Sequence, residues 1–269
     1  MEDRDVLTRT SQLPDAVLRY GGHGDAIVDV HLPPQDLPPN GLPSSRPCPL
    51  IVLIHGGFWH ADYDRMHMRP LANAFAAEGF VVASPEYRRV DGKGDLAGGW
   101  PATFDDISSV MASLPSRLDE LDIAVSNTTV MGFSAGGHLA LWLANEPYAV
   151  DRVIGLAPVG DLRAAAAARL GDDAVHALLG GKPSRVPERY DAADPAARLG
   201  NKPSCDVIVI HGVDDDKVPI DNSRGLVAKH PFVVLHELQG VEHFALIDPL
   251  SPAWPAVRAA ASGESIDLG

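Results

Sequence analysis

The stretch Thr128-Thr129-Val130-Met131-Gly132-Phe133-Ser134-Ala135-Gly136-Gly137-His138 decides the fold. Its first half is a β-branched run, read as a strand over 128–132. Its second half opens a helix over 135–145, rich in Ala and Leu. Between them lies Gly132-Phe133-Ser134-Ala135-Gly136, a Gly-x-Ser-x-Gly pattern. The pattern alone is weak, because Gly and Ser are common. Its position between strand and helix makes it strong. So sharp a turn forces its central residue into strained backbone angles and crowds the chain. Flanking glycines, with Ala135 and Gly137 also small, relieve the crowding. The serine oxygen then projects at the top of a sheet, beside a helix N-terminus. The bland alternative is a glycine-rich turn with an incidental serine.

Working outward, strand and helix patterns alternate. Residues 17–20 and 26–30 form an entry hairpin around Gly21-Gly22-His23-Gly24, and a Pro-rich connector runs from 33 to 49. Leu50-Ile51-Val52-Leu53-Ile54 reads as a strand buried on both faces. Further strands fall at 80–84, 153–157, 207–210 and 232–235, with helices at 70–79, within 101–120 and at 252–261. Alternation of this kind predicts an α/β fold with a mostly parallel, doubly wound sheet. Residues 160–204 break the rhythm, being longer than a simple crossover. They hold an Ala-rich helix at 163–170 and a second helical piece at 173–179. We read them as a small helical cap insertion over the sheet's C-terminal edge, in a single domain spanning 1–269. A decorated crossover is the alternative.

Composition excludes several classes. The formal net charge is −14 and no Lys/Arg cluster stands out, so no nucleic-acid partner is expected. No apolar run approaches the roughly 20 residues that span a bilayer. The start, Met1-Glu2-Asp3-Arg4-Asp5, lacks the basic and apolar regions of a secretory signal. The expectation is a cytoplasmic protein without a membrane partner. A homodimer is compatible with the sequence.

Three more segments carry chemistry. His55-Gly56-Gly57-Phe58-Trp59 follows the first buried strand. A glycine-rich loop there can aim backbone amides at a developing oxyanion. The amides of Gly57 and Phe58 would join that of Ala135, with His55 holding the loop. His211-Gly212-Val213-Asp214-Asp215-Asp216 follows the strand at 207–210 and offers three carboxylates able to orient a histidine. Gly240-Val241-Glu242-His243-Phe244 puts a histidine on the loop after the last strand. The order Ser134, Asp, His243 is the one the α/β-hydrolase fold uses. Phe58, Trp59 and Phe133 flank these loops, and Trp100 in Gly98-Gly99-Trp100-Pro101 could reach the same rim. We assign Trp59, Phe133 and Trp100 to a substrate pocket, with core packing as the alternative. Tyr63, Asp64, Arg65 and His67 are placed at the surface rather than at an entrance. Arg88 is read as an ion-pair partner, and His138 as packed beneath Ser134. No histidine spacing suits a metal, and no cofactor is expected.

Over nearly its whole length the sequence resembles the α/β-hydrolase superfamily. More narrowly it resembles small bacterial esterases and arylformamidase-like hydrolases that share His-Gly-Gly-x-Trp, and the catalytic domain of prolyl-oligopeptidase-type enzymes. Their acid sits in a His-Gly-x-x-Asp-x-x-Val-Pro pattern, which selects Asp215 over Asp214 here, with Val218 and Pro219 matching. Their histidine, in Gly-x-x-His-Phe, maps onto His243. The family's sheet order sets the strands after Cys48 and Cys205 three positions apart, too far for a disulfide. The resemblance implies a Ser134–Asp215–His243 triad cleaving a small-molecule carboxylic ester through an acyl-enzyme. An arylformamidase acting on an N-formylkynurenine-type amide is second. A peptidase or an inactive binding module follows behind.

Overall fold

The computed structural model describes residues 4–34 and 47–266, so most of the Pro-rich connector lies outside the described residues. Eight strands form one sheet in the order β1-β2-β4-β3-β5-β6-β7-β8. They are β1 (Ala16–Arg19), β2 (Ile27–His31), β3 (Cys48–Ile54), β4 (Val81–Pro85), β5 (Val125–Phe133), β6 (Arg152–Leu156), β7 (Asp206–Gly212) and β8 (Val234–Leu238). β1 and β2 form the expected antiparallel hairpin, and β2 also runs antiparallel to β4. All remaining pairs are parallel. Three steps separate β3 from β7, and neither Cys48 nor Cys205 is in a disulfide.

Strand pleating divides the apolar residues between two cores. Leu50, Val52 and Ile54 of β3 enter one, with Val130 of β5 and Val209 of β7. Ile51 and Leu53 enter the other, with Met131 and Ile154. A run apolar at every position therefore suits a strand covered on both faces. Helix α2 (Ala102–Asp119) and α3 (Ala135–Leu143) fill the first core. Helix α1 (Arg69–Ala77) and α9 (Trp254–Ser262) fill the second. Between β6 and β7 run α4 (Leu162–Ala167), α5 (Leu170–Leu179), α6 (Pro187–Ala193) and α7 (Pro195–Arg198). Helix α8 (Asp221–Lys229), between β7 and β8, was not expected from sequence.

Among the described residues no helix is long and apolar enough to cross a membrane. Two buried histidines give stability a pH dependence. Burial pushes His67 down to about 3 and His138 down to about 4, from an ordinary 6.5. Native imidazoles thus stay neutral where unfolded ones take up protons. Stability is full above pH 6.5 and is lost as pH falls toward 4. Glu86 adds a later loss. Burial pushes its carboxyl up, but His55 and Arg89 outweigh this and hold it at about 2, so its contribution fades below its ordinary 4.5. Denaturant titrations should show roughly 3–4 kcal/mol less stability at pH 5 than at pH 7. Equal midpoints at both values would contradict the account.

Candidate active site

The turn between β5 and α3 fits its sequence closely. Ser134 sits at φ 55°, ψ −116°, a conformation costing about 1–3 kcal/mol. It is affordable only where neighbours force it. A Cβ on Gly132 would stand 2.0 Å from the Gly136 carbonyl oxygen, and one on Gly136 would stand 2.2 Å from that of Ile54. Both glycines are therefore steric necessities. The Ser134 amide donates to the Leu156 carbonyl at 2.8 Å, tying the turn to β6.

Gly57, Phe58 and Trp59, on the loop after β3, have φ of 112°, 50° and 60°. His55 anchors that loop. Its Nδ1 lies 2.8 Å from the Gly56 carbonyl oxygen and its Nε2 2.8 Å from Glu86 Oε1. Its ring stacks on Tyr87 at 4.2 Å, and the Tyr87 hydroxyl donates to its carbonyl. Ala135 is the first residue of α3, where helix geometry leaves its amide unpaired. Among the described residues, the amides of Gly57, Phe58 and Ala135 donate to no protein acceptor.

Asp215 and His243 meet because two loops converge. Val213 N donates to Leu238 O and Asp214 N to Val241 O. A Cβ on Gly212 would stand 2.1 Å from Val241 O. His243 Nδ1 then donates to Asp215 Oδ2 at 2.6 Å, while Lys217 N and Val218 N donate to Oδ1. Of the adjacent acids, Asp214 is exposed and Asp216 pairs with Lys217, so geometry selects Asp215. Burial raises the Asp215 carboxyl, but hydrogen bonds from His211 and His243 prevail and hold it well below the usual carboxylate range. An anionic acceptor fixes the proton of His243 on Nδ1 and leaves the Nε2 lone pair available.

Ser134 and His243 line one cleft of about 130 Å³ with Gly57, Phe58, Phe133 and Phe244, and with Arg4, Tyr63, His67 and Lys217. Among the described residues the Ser134 hydroxyl makes no hydrogen bond, and in unliganded sites such contacts are often long. Of the three aromatics assigned to a substrate pocket, Phe133 lines this cleft. Trp59 is corrected: it is fully buried, edge-on to His138 at 5.2 Å, and belongs to the core. Left-handed backbone at both Phe58 and Trp59 sends the first ring to the cleft and the second inward. Trp100 is also corrected. It packs on Phe104 at 4.9 Å, its amide donates to Leu178 O, and it does not line the cleft. Tyr63 and His67, placed at the surface from sequence, line the cleft instead. Arg88 pairs with Asp106, and His138 is buried with Nε2 donating to Ala193 O, both as expected. Among the described residues no group of three or more His, Cys, Asp or Glu is placed to hold a metal ion.

Fold and site together define an α/β-hydrolase. The chain belongs to the BD-FAE family, whose model matches residues 37–230. It is 26% identical to esterase LipC of Mycobacterium tuberculosis over 253 residues, 85% of this chain and 59% of LipC. The chain thus spans about three fifths of that relative's length. Among solved structures it resembles a truncated carbohydrate esterase from gut microbiota, at TM-score 0.72, 19% identity, and 97% and 98% coverage of the two chains. It also resembles esterase B from Lactobacillus rhamnosis, at TM-score 0.72, 17% identity, and 94% and 89% coverage. At such identities the two structures speak to the fold.

Proposed function

We propose that the protein hydrolyses carboxylic esters of small or medium size through an acyl-enzyme on Ser134. The observation that carries this reading is the buried 2.6 Å contact between His243 and Asp215, in a cleft shared with a strained Ser134. His243 Nε2 takes the Ser134 proton as its oxygen attacks the acyl carbon. Negative charge moves onto the carbonyl oxygen, toward the amides of Gly57, Phe58 and Ala135. His243 then protonates the departing alcohol. Water attacks the acyl-enzyme with the same base, and Ser134 regains its proton as the acid leaves. Asp215 keeps the Nδ1 proton in place and balances the imidazolium. Phe58, Phe133 and Phe244 give the cleft apolar walls, and its volume suits a short acyl group. The esterase names of LipC and of the structural relatives agree with this reading.

His-Gly-Gly-x-Trp raised an arylformamidase as the rival. With Trp59 in the core, that motif reports on loop packing and not on the substrate. Steady-state rates on p-nitrophenyl acetate and N-formylkynurenine separate the two. We expect kcat/KM for the ester to be higher by more than about tenfold, or ~1.4 kcal/mol of barrier. A formamide preference of that size would overturn the choice.

Residues 160–204 act, in this reading, as a cap over the oxyanion loop. Gly171 has φ 59°, and a Cβ there would stand 2.6 Å from the Phe58 ring. Gly171→Ala is expected to displace Phe58 and lower kcat by about 10–100-fold, short of losing the whole donor set. Unchanged kcat in a folded variant would detach the cap from the oxyanion loop.

A further inference from the structure

The proposed triad accounts for one of the two histidines on Asp215. His211, at the end of β7, is completely buried. Its Nε2 lies 2.8 Å from the Val218 carbonyl oxygen and 3.3 Å from Asp215 Oδ2, the same oxygen that receives His243. Its Nδ1 lies 2.7 Å from Ser223 Oγ on α8, also completely buried. A carbonyl and a carboxylate can only accept, so Nε2 carries a proton. In the neutral ring Nδ1 is then an acceptor, and the Ser223 hydroxyl donates to it. A line of contacts therefore runs from Ser223 through His211, whose Nε2–H donates to Val218 O and stands 3.3 Å from Asp215 Oδ2, to the same oxygen that receives His243. Other charges nearby are matched. Glu237, across from His211 in β8, is held by Arg224 of α8, and Lys217 pairs with Asp216.

We propose that Ser223 and His211 are positioning residues: by donating to His211 Nδ1 the Ser223 hydroxyl strengthens the His211 Nε2–H as a donor, and that N–H in turn draws on Asp215 and moderates the basicity of His243. The inference rests on the triad reading above. A carboxylate that shares its oxygen between two N–H donors gives less to each. Without the Ser223 hydroxyl, His211 Nδ1 loses its donor, the Nε2–H becomes a weaker donor and draws less on Asp215, and Asp215 then bears more strongly on His243. The imidazolium of His243 becomes easier to form, and the acid limb of activity moves to higher pH.

The test uses the full chain with Ser223→Ala and Ser223→Thr, p-nitrophenyl acetate as substrate, and a fluorophosphonate probe as control. Ser223→Ala should still be labelled at Ser134. The acid limb of its kcat/KM profile should lie about half a pH unit higher, a roughly threefold change in protonation equilibrium, with KM held within about twofold. Ser223→Thr, which keeps the hydroxyl, should restore the parent profile. A Ser223→Ala profile that superimposes on the parent would overturn the inference, as would a fall in kcat with the limb unmoved, since that marks a structural hydroxyl only. Should Ser223→Thr fail to fold, the Ser223→Ala limb decides alone. A parent protein that resists labelling would defeat the triad reading itself, and this inference with it.

Discussion

Asp215→Asn is expected to lower kcat about 10⁴-fold with little change in folding. The carboxylate now accepts the Nδ1 proton of His243 at 2.6 Å. An amide at that site can present its NH₂ to Nδ1, which then must accept. The ring proton moves to Nε2, and the nitrogen facing Ser134 loses its lone pair. Side-chain volume is nearly unchanged, so the effect is a tautomer effect, and melting temperature beside kcat checks this. The matched control is Asp214→Asn. Asp214 is exposed, and we expect its removal to alter kcat by less than about twofold, as for surface changes. A large loss in the control, with little in Asp215→Asn, would move the acid to the neighbouring residue.

The second large effect is on folding. Gly136→Ala puts a methyl group 2.2 Å from Ile54 O and 2.3 Å from His55 O, both backbone atoms. Neither can rotate away. Relief requires α3 to move off the end of β3, and that movement separates Ala135 from Gly57 and Phe58. Overpacking ordinarily costs about 1–3 kcal/mol, and rigid neighbours put this case at the upper end or beyond. For a chain of this size that is about 10 °C in melting temperature. Activity should fall further than the unfolded fraction explains, because the oxyanion donors part company. A fully stable, fully active Gly136→Ala protein would show that the turn is looser than its geometry implies.

The sheet and the chain order of Ser134, Asp215 and His243 were readable because they rest on strong local patterns. The strand 50–54 is apolar at every position, and Ser134 is fenced by glycines that nothing larger can replace. Helix α8 escaped notice for an equally physical reason. It buries Asn222, Ser223 and Leu226, so no apolar stripe marks it. The line Ser223–His211 was hidden with it. Trp59 misled because an aromatic after Gly-Gly has no sequence marker for which way it turns, and two successive left-handed residues settle that. Tyr63 lies among Asp62, Asp64 and Arg65, and with His67 it reads as surface. Their place in the cleft depends on how the loop after β3 folds back toward Phe244. The cleft walls are made of such long-range meetings, whereas the proposed triad residues sit at strand ends that sequence patterns mark.

The central claim is that Ser134 is an activated nucleophile. Incubating the folded protein with a fluorophosphonate probe and mapping the adduct by peptide mass spectrometry tests it most directly. The account predicts a single stoichiometric adduct on Ser134, absent from Ser134→Ala and slowed by orders of magnitude in His243→Ala. No adduct on folded protein, or an adduct on another residue that persists in Ser134→Ala, would contradict it.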